Sequence, residues 1–483
     1  MFKTTKHHHA PVEIPPDESY ENLVFARGYA VGDLLTSPPV PMWHKLELSG
    51  RMLFWDPRLE LSHVSHDGFS VTLLGHAIHL LDDTDNLQEI VEKLATRRRH
   101  SRESYVSELE KLAGRFIAID GTPSEAWIQS DAGALRSIYY SSEGGFIASH
   151  QNLIAEMLLK VTPSIFGTRA WRNSNRSFTY PGNKTHWNEV SYLHANHEIE
   201  IGSMDIRRVS LDPPLNISTS EVVNLIVPLL RIQVPHLAKR QKPLVSLTAG
   251  QDSRTTLAIL RDQRNSFDFF TYGLTYAQRQ EAVQSDLDTS LELASAKGLD
   301  RHRILNVNGP LTNKALSTVL RRNSPKSSNP NVIEKYLEEF PDSRMHIRSS
   351  FNEIGVSNYR RKYPHDKITP ELIALIHTYG SGYTAETLKA KQEYVLGTNL
   401  LGVDGYHPLD LYYWEIRMGS WLGTINSESD VAFDTHILIN SRLIIKYLLS
   451  APYAERIKTA TYDQIVKTCW PELYNIPVNG VMR

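Results

Sequence analysis

Residues 242–262, KPLVSLTAGQDSRTTLAILRD, constrain the fold more than any other stretch of the 483-residue chain. An apolar run at 243–248 ends in Thr-Ala-Gly-Gln-Asp-Ser-Arg, and 252–262 then carries Leu257, Ile259 and Leu260 on the inner side of a helix. The stretch reads as a buried strand that turns at once into a helix. The surroundings repeat the alternation: the helical EVVNLIVPLLRIQVPHLAKR (221–240) precedes it, and FDFFTYG (267–273), a further helix and HRILNV (302–307) follow. Strands alternating with helices predict a parallel sheet covered by helices. From about residue 312 the pattern is mainly helical, with a polar interruption at RRNSPKSSNPN (321–331).

The first half has a different texture. GRMLFWD (50–56), FSVTLLGHAIHLL (69–81), GRFIAIDG (114–121), EAWIQSD (125–131), SIYYSS (137–142) and GFIASH (145–150) are short apolar or alternating runs separated by Gly, Asp and Ser turns, so they predict strands. One amphipathic helix over roughly 86–113 interrupts them, and 178–202 reads as a loop and hairpin. The prolines and Ser/Thr cap signal of LDPPLNISTSE (211–221) place a domain boundary near 210, giving domains 1–210 and 211–483. The run TRRRHSR (96–102) reads as a solvated helix end, and the histidines of the charged, proline-rich N-terminus read as a flexible tail rather than a metal site.

Composition narrows the function classes. A formal net charge of -2 gives no global electrostatic case for nucleic acid or an anionic membrane, and no window of about 18 apolar residues predicts a membrane span. The single cysteine, Cys469, supports neither a disulfide framework nor a cysteine-based zinc cluster. A cytoplasmic protein is expected.

The chemistry concentrates in the joint between strand and helix. The N–H groups of residues 249–253 fall at a helix N-terminus, where they have no intrahelical partner and the dipole favours negative charge. Gly250 permits close backbone approach, and Thr248 and Ser253 offer hydroxyl donors, so the joint suits a phosphate or pyrophosphate. No lysine follows the glycine, which excludes a Walker loop. Asp252 would repel a bare phosphate, and its presence makes sense with a divalent cation, Mg²⁺, bridging it to a nucleotide. A glycine-containing turn capped by Thr and Ser accounts for the same residues without any ligand.

SLTAGQDSR resembles the SGGxDS pyrophosphate loop of the asparagine synthetase family of ATP-dependent ligases, with Thr248, Ala249, Gly250, Gln251, Asp252 and Ser253 in its six places. FTYG (270–273) with SDLDTSLELASAKGLDRH (285–302), then RSSFNEIGVSNYRR (348–361), then LYYWEIRMGSW and ESDVAFDT (411–435) follow in the family's order. LAGRFIAIDG, AWIQSDAGALRSIYY and GFIASHQNLI are similar to the later part of a class II glutamine amidotransferase domain. The resemblance implies an αββα Ntn-hydrolase-like sandwich followed by an α/β parallel-sheet, adenine nucleotide α-hydrolase-like (PP-loop) domain with a helical C-terminal part. It implies ATP and Mg²⁺ as cofactors, with nucleotide contacts from Ser246, Thr248, Gly250, Gln251, Asp252, Ser253, Tyr272 and Gly273. The metal would sit on Asp252 and Asn352, with Glu353 beside them. By order along the chain Lys458 matches the family's catalytic lysine, with Arg456 next in line. Arg417 and Glu415 either line an acceptor pocket or belong to an amphipathic core helix.

Four departures qualify the resemblance. Phe2 stands where a class II glutaminase needs an N-terminal cysteine, and LLGHAIHL lacks the oxyanion-hole asparagine. Ala249 replaces the first loop glycine but keeps its N–H. Asn352 replaces an aspartate, and Ser349 stands where the β-lactam synthetase branch carries a catalytic tyrosine. The reading that follows is an AMP-forming ligase that adenylates a carboxylate and joins it to an amine, within one molecule or between two, without hydrolysing glutamine. A nucleotide-binding pseudoenzyme or interaction module, an ammonia-dependent amide synthetase, and a nucleotidyltransferase-like or sulfur-transfer enzyme are the alternatives. The expected partners are small-molecule or peptide substrates, with a homodimer as one option for assembly.

Overall fold

The long alternating runs of the first half pair as antiparallel strands in the computed structural model, which describes residues 4–48, 50–66, 68–172, 179–274, 280–307, 309–325, 330–342, 345–376 and 382–478. Phe69–His79 and Leu112–Gly121 run side by side from Ser70↔Gly121 to His79↔Leu112 and form the spine of a seven-stranded sheet. Its order is Thr5–His9, Leu61–His66, Phe69–His79, Leu112–Gly121, Ala126–Ser130, His197–Glu200, Ile206–Arg208. A six-stranded sheet packs on it, ordered Ser191–Leu193, Ile138–Ser141, Phe146–Ala148, Tyr29–Gly32, Arg51–Trp55, His44–Leu48. Strand side chains alternate between faces, so Val31, Leu53 and Trp55 of one sheet meet Leu74, Ile117 and Ile128 of the other in a shared core. Leu87–His100 and Arg102–Leu109 cover the outer face of the larger sheet through Ile90, Val91, Leu94 and Tyr105. Gln151–Met157 packs on the smaller sheet. The layers are therefore helix, sheet, sheet, helix.

Three details differ from the sequence expectation. The single helix over 86–113 is two, because Ser101 adopts φ −163°, ψ 163° and its side chain caps the second by accepting from the Ser104 N–H; Leu112 already belongs to a strand. The segment 178–202 is not a hairpin, since Ser191–Leu193 and His197–Glu200 join different sheets. The histidine-rich tail is an edge strand, Thr5–His9, paired with Leu61–His66, with His9 edge-on to Trp55 at 5.2 Å. The run TRRRHSR does end a helix, largely exposed, although Arg98 Nε donates to the buried Asp120 at 2.8 Å and Arg102 Nη1 to the buried Glu198 at 2.8 Å. Phe2 and residues 326–329 of the polar run lie outside the described residues.

The second half opens with Thr219–Arg231, whose Ser218 and Glu221 form a reciprocal capping box. Its sheet is parallel throughout, ordered His302–Val307, Asp268–Leu274, Leu244–Ser246, Met345–Ile347, Asp434–His436. The first strand in sequence is thus central: two later strands are added on one side and two on the other. The chain reverses its direction of sheet growth beside Leu244–Ser246, and loops leaving the carboxyl ends of strands at such a switch point diverge and leave a crevice. Gln251–Ile259, Ala460–Cys469 and Thr219–Arg231 pack together beside the sheet. The described residues contain no helix long and apolar enough to cross a membrane.

Buried charge joins the two halves. Arg115 Nη2 donates to Asp430 at 2.7 Å, and Arg136 Nη2 to Asp434 at 2.8 Å. His76 Nδ1 lies 3.0 Å from Asp434, and Asn440 Oδ1 accepts from the Gly133 N–H at 2.8 Å. Burial alone would raise the Asp434 pKa, but Arg136 and His76, with Arg115, outweigh it and hold the carboxyl well below the usual range.

Candidate active site

The crevice at the switch point is a cavity of about 470 Å³, open to solvent. Three segments build it. The first is the turn after Leu244–Ser246, contributing Ser246, Thr248, Gly250, Gln251, Asp252 and Ser253. The second follows Met345–Ile347 and contributes Arg348, Ser349, Ser350, Asn352 and Glu353. The third is the C-terminal turn with Thr459 and Tyr462. Tyr272, Tyr336 and His346 supply aromatic wall. Loop and acidic segment, about 100 residues apart in sequence, are brought together because Leu244–Ser246 and Met345–Ile347 are hydrogen-bonded neighbours.

The turn is held by its own side chains. Thr248 donates to Ser253 Oγ from its backbone N–H at 3.0 Å and from its hydroxyl at 3.1 Å, and Ser253 Oγ in turn donates to the Ser246 carbonyl at 3.4 Å. Gly250 N–H donates to Thr248 Oγ1 at 3.3 Å. The two hydroxyls expected to face a ligand therefore shape the turn as well. The Ala249 N–H donates to the Asp286 carboxylate, so the first cradle donor is already engaged by a side chain from within the helix Gln280–Ala296. The helix Gln251–Ile259 has no side-chain cap, which leaves its first N–H groups to face the cavity wall.

Asp252 and Glu353 both line the cavity, and the charge of one acts on the other. Burial, and then the charge of Glu353, push the Asp252 pKa up to about 7, while a hydrogen bond from the Asn352 side chain works in the opposite direction. Glu353 accepts from the Tyr413 hydroxyl, which reaches the site from the π-helix Tyr413–Leu422. Tyr462 donates to the Asn352 carbonyl at 2.7 Å, and Gly355 is required beneath it: a Cβ there would lie 2.3 Å from the Tyr462 oxygen. Phe351, buried, is held at φ 101°, a conformation that costs about 1–3 kcal/mol for a non-glycine residue. It is fixed from the N-terminal half, because its ring fits over Gly133, where a Cβ would stand 2.8 Å from Phe351 Cζ. The sandwich thus buttresses the acidic segment directly.

Several polar atoms of the cavity lining are orphaned. Gln251 Nε2, Ser349 Oγ and both ring nitrogens of the buried His346 have no hydrogen-bond partner among the described residues. Buried unsatisfied groups are rare, and each calls for a partner from outside the chain. The donor set also suits a hard divalent cation: the part-buried Asp252, the exposed carboxylate of Glu353 whose charge acts on it, and the Asn352 amide, with hydroxyls nearby. Among the described residues the one tight trio of acids and histidine is His79, Asp82 and Glu108, but Glu108 there already takes Lys93 at 2.9 Å and Lys111 at 2.7 Å, so its charge is spent.

Five residues named from the sequence do not line the cavity. Gly273 is buried in mid-strand, paired with Asn306 of His302–Val307. Lys458 is exposed on the turn before Ala460–Cys469, where its neighbour Thr459 faces the cavity instead. Arg417 is buried in the π-helix with its guanidinium 3.8 Å from the Trp421 ring centre. Glu415 is fully buried, taking Arg208 Nη2 at 3.1 Å and the Tyr394 hydroxyl at 2.8 Å, and Arg456 is bound to Asp410 at 3.1 Å. Glu415 and Arg417 pack between the halves, against Arg208 and Thr179, and Arg456 is held within the second half. Conversely, Asp286, His346, Arg348, Arg361 and Tyr413 belong to the site or its support and were not singled out in the sequence. Only Asp286 gave a signal, in the acidic stretch of its helix.

No protein-family model matches the chain, and no curated protein matches it. Among solved structures, NMN synthetase from Francisella tularensis is 14% identical, covering 41% of this chain and 93% of that one at TM-score 0.21. Glutamine phosphoribosylpyrophosphate amidotransferase from B. subtilis, complexed with ADP and GMP, is 10% identical over 71% of this chain and 73% of that one at TM-score 0.23. Glutamine-dependent NAD+ synthetase from Acinetobacter baumannii, complexed with ADP, is 11% identical over 64% and 72% at TM-score 0.20. These neighbours are amidotransferases and synthetases, and none is close enough to transfer an activity to this chain.

Proposed function

We propose that the chain is an ATP-dependent, AMP-forming ligase that activates a carboxylate and passes it to an amine. The observation that carries this reading is that Asp252 and Glu353 line the same switch-point cavity beside an uncapped helix start, with the Glu353 charge acting on Asp252. The helix start and its N–H groups favour a polyphosphate, while the paired carboxylates disfavour one unless a cation intervenes. When bound, Mg²⁺ would supply the charge that reconciles the two, held by Asp252 with Glu353 and Asn352. Ser349, Gln251 and His346 would take the remaining polar contacts of nucleotide and substrate. The substrate carboxylate would attack the α-phosphorus, giving an acyl-adenylate and pyrophosphate, and an amine would then displace AMP. Donors fixed before the reaction lower the barrier most where charge grows during it.

Glutamine is not the amine source in this reading. The chain's thiol, Cys469, is buried in Ala460–Cys469, and burial raises its pKa, the opposite of an activated nucleophile. Incubation with glutamine, with and without ATP and an accepted carboxylate, is expected to release no glutamate. Exchange of labelled pyrophosphate into ATP, screened over candidate carboxylates and then completed with amines or ammonium, tests the activation step. Stoichiometric glutamate, or no exchange with any carboxylate despite ATP binding, overturns the reading.

One observation favours the second reading, a nucleotide-binding protein without turnover. The Ala249 N–H is taken by Asp286, and Asn352 brings no charge to the metal side. Binding of MgATP without exchange separates the two. In either case Gly355→Ala is expected to displace Tyr462 from Asn352 and weaken MgATP binding roughly two- to twelvefold, the worth of about one hydrogen bond. Calorimetric titration with an unchanged dissociation constant counts against the placement of Asn352.

A further inference from the structure

On the nucleotide reading above, we propose that Arg361, with Arg348, is the cationic group that receives the departing pyrophosphate, the place that chain order gave to Lys458. Among the described residues lining the cavity the charged side chains are Asp252 and Glu353 on the acidic side and Arg348 and Arg361 on the basic side, and no lysine lines it. A polyphosphate drawn to the helix start still faces two carboxylates. A single divalent cation leaves about half of the polyphosphate's charge uncompensated, and charge grows on the leaving group as the α-phosphorus bond breaks.

The fold brings Arg361 to the face where Lys458 was expected. Asn358–Lys362 follows the acidic segment directly and is fastened to the C-terminal turn: Arg360 stacks 3.8 Å from the Tyr453 ring centre, and the Tyr453 hydroxyl donates to the Arg360 carbonyl at 3.3 Å. Tyr453 opens the segment that leads to Thr459, so helix and turn share one side of the cavity. The Arg361 backbone N–H is fixed on the Ser357 carbonyl at 2.8 Å, and its guanidinium has no hydrogen bond or ion pair with any described residue. Arg348 stands at the carboxyl end of Met345–Ile347, with Nε donating to Ser350 Oγ at 2.9 Å. One guanidinium is therefore anchored and the other free to follow its ligand. A planar fork also meets two phosphate oxygens at once, which a lysine ammonium does not.

The test uses the full chain and two probes, magnesium pyrophosphate and MgATP, in calorimetric titrations. Arg361→Gln is expected to weaken pyrophosphate binding by at least about tenfold, with an unchanged melting temperature, and to slow pyrophosphate exchange with any accepted carboxylate further still. Arg361→Lys should recover part of the loss, as a point charge without the fork. Lys362→Gln removes the same charge one residue along, outside the cavity lining, and should leave binding unchanged. Pyrophosphate binding that survives Arg361→Gln but is lost in Lys458→Gln overturns the arginine assignment while leaving the nucleotide reading intact. Wild-type protein that binds neither probe overturns the nucleotide reading itself, and the assignment with it.

Discussion

Asp252→Asn is expected to abolish ATP-dependent turnover and, in the same protein, to raise the melting temperature of the ligand-free chain at pH 8. The two effects have one cause. Burial and the Glu353 charge push the Asp252 pKa from 3.8 to about 7. The folded state therefore holds this proton more tightly than the unfolded state does, and stability falls as pH rises from about 4 to about 7. Above that window the cost is fully present; below it the cost is absent. Asparagine removes the charge and with it the cost, so the gain should be largest at pH 8 and vanish near pH 4. Function moves the other way. Even residues one step removed from a metal typically cost about 10–100-fold when replaced, and Asp252 would touch the ion itself. Mg²⁺ should raise the melting temperature of the wild type at pH 8 and leave the variant unmoved. A variant that melts lower than wild type at pH 8 would mean that Asp252 is a structural carboxylate, held by contacts other than those described.

The loop around Asp252 was legible in the sequence because its signals are local. An apolar run, a glycine and an amphipathic helix follow within about 20 residues, and helix and strand periodicity survive in any window of that size. The other wall of the cavity was not legible in the same way. Met345–Ile347 and Asp434–His436 are three residues each, too short for any periodic pattern, and they become strands only by pairing with neighbours far away in sequence. The switch point that creates the crevice is a property of strand order, which no local pattern contains. Thr5–His9 failed for a related reason: a run of polar rings offers no apolar alternation, and its strand is conferred by Leu61–His66 and by contact with Trp55. Arg348 and Arg361 sit in a serine-rich, basic stretch that reads as a solvated surface until the fold turns it into a cavity wall. Lys458 had the right order along the chain, but order fixes which turn a residue occupies and not which way its side chain faces.

The same limit hid the buried ion pair between the two halves, and it yields the largest stability change expected here. Arg115 lies in a strand that reads as ordinary core, and nothing near it in sequence shows that its partners are Asp430 and Asp434. Its guanidinium is buried and fully used: Nε donates to the Leu135 carbonyl at 2.8 Å, Nη2 to Asp430 at 2.7 Å and Nη1 to Asp434 at 3.1 Å. Arg115→Met keeps the volume and removes the charge, leaving Asp430 buried without its main partner. Breaking one side of a buried pair costs about 3–5 kcal/mol. Because Asp434 opens the strand beside Met345–Ile347, and Gly133 and Phe351 are packed across the same interface, the loss should also loosen the Asn352–Glu353 segment and weaken MgATP binding, although Arg115 does not line the cavity. Denaturant unfolding of Arg115→Met, Asp430→Leu and the double variant reads the coupling directly. The double variant should recover more than half of the single loss, since it replaces an unpaired charge by two apolar side chains. A single-variant loss below about 1 kcal/mol, the range of an exposed pair, would show that this buried pair is not what holds the halves together.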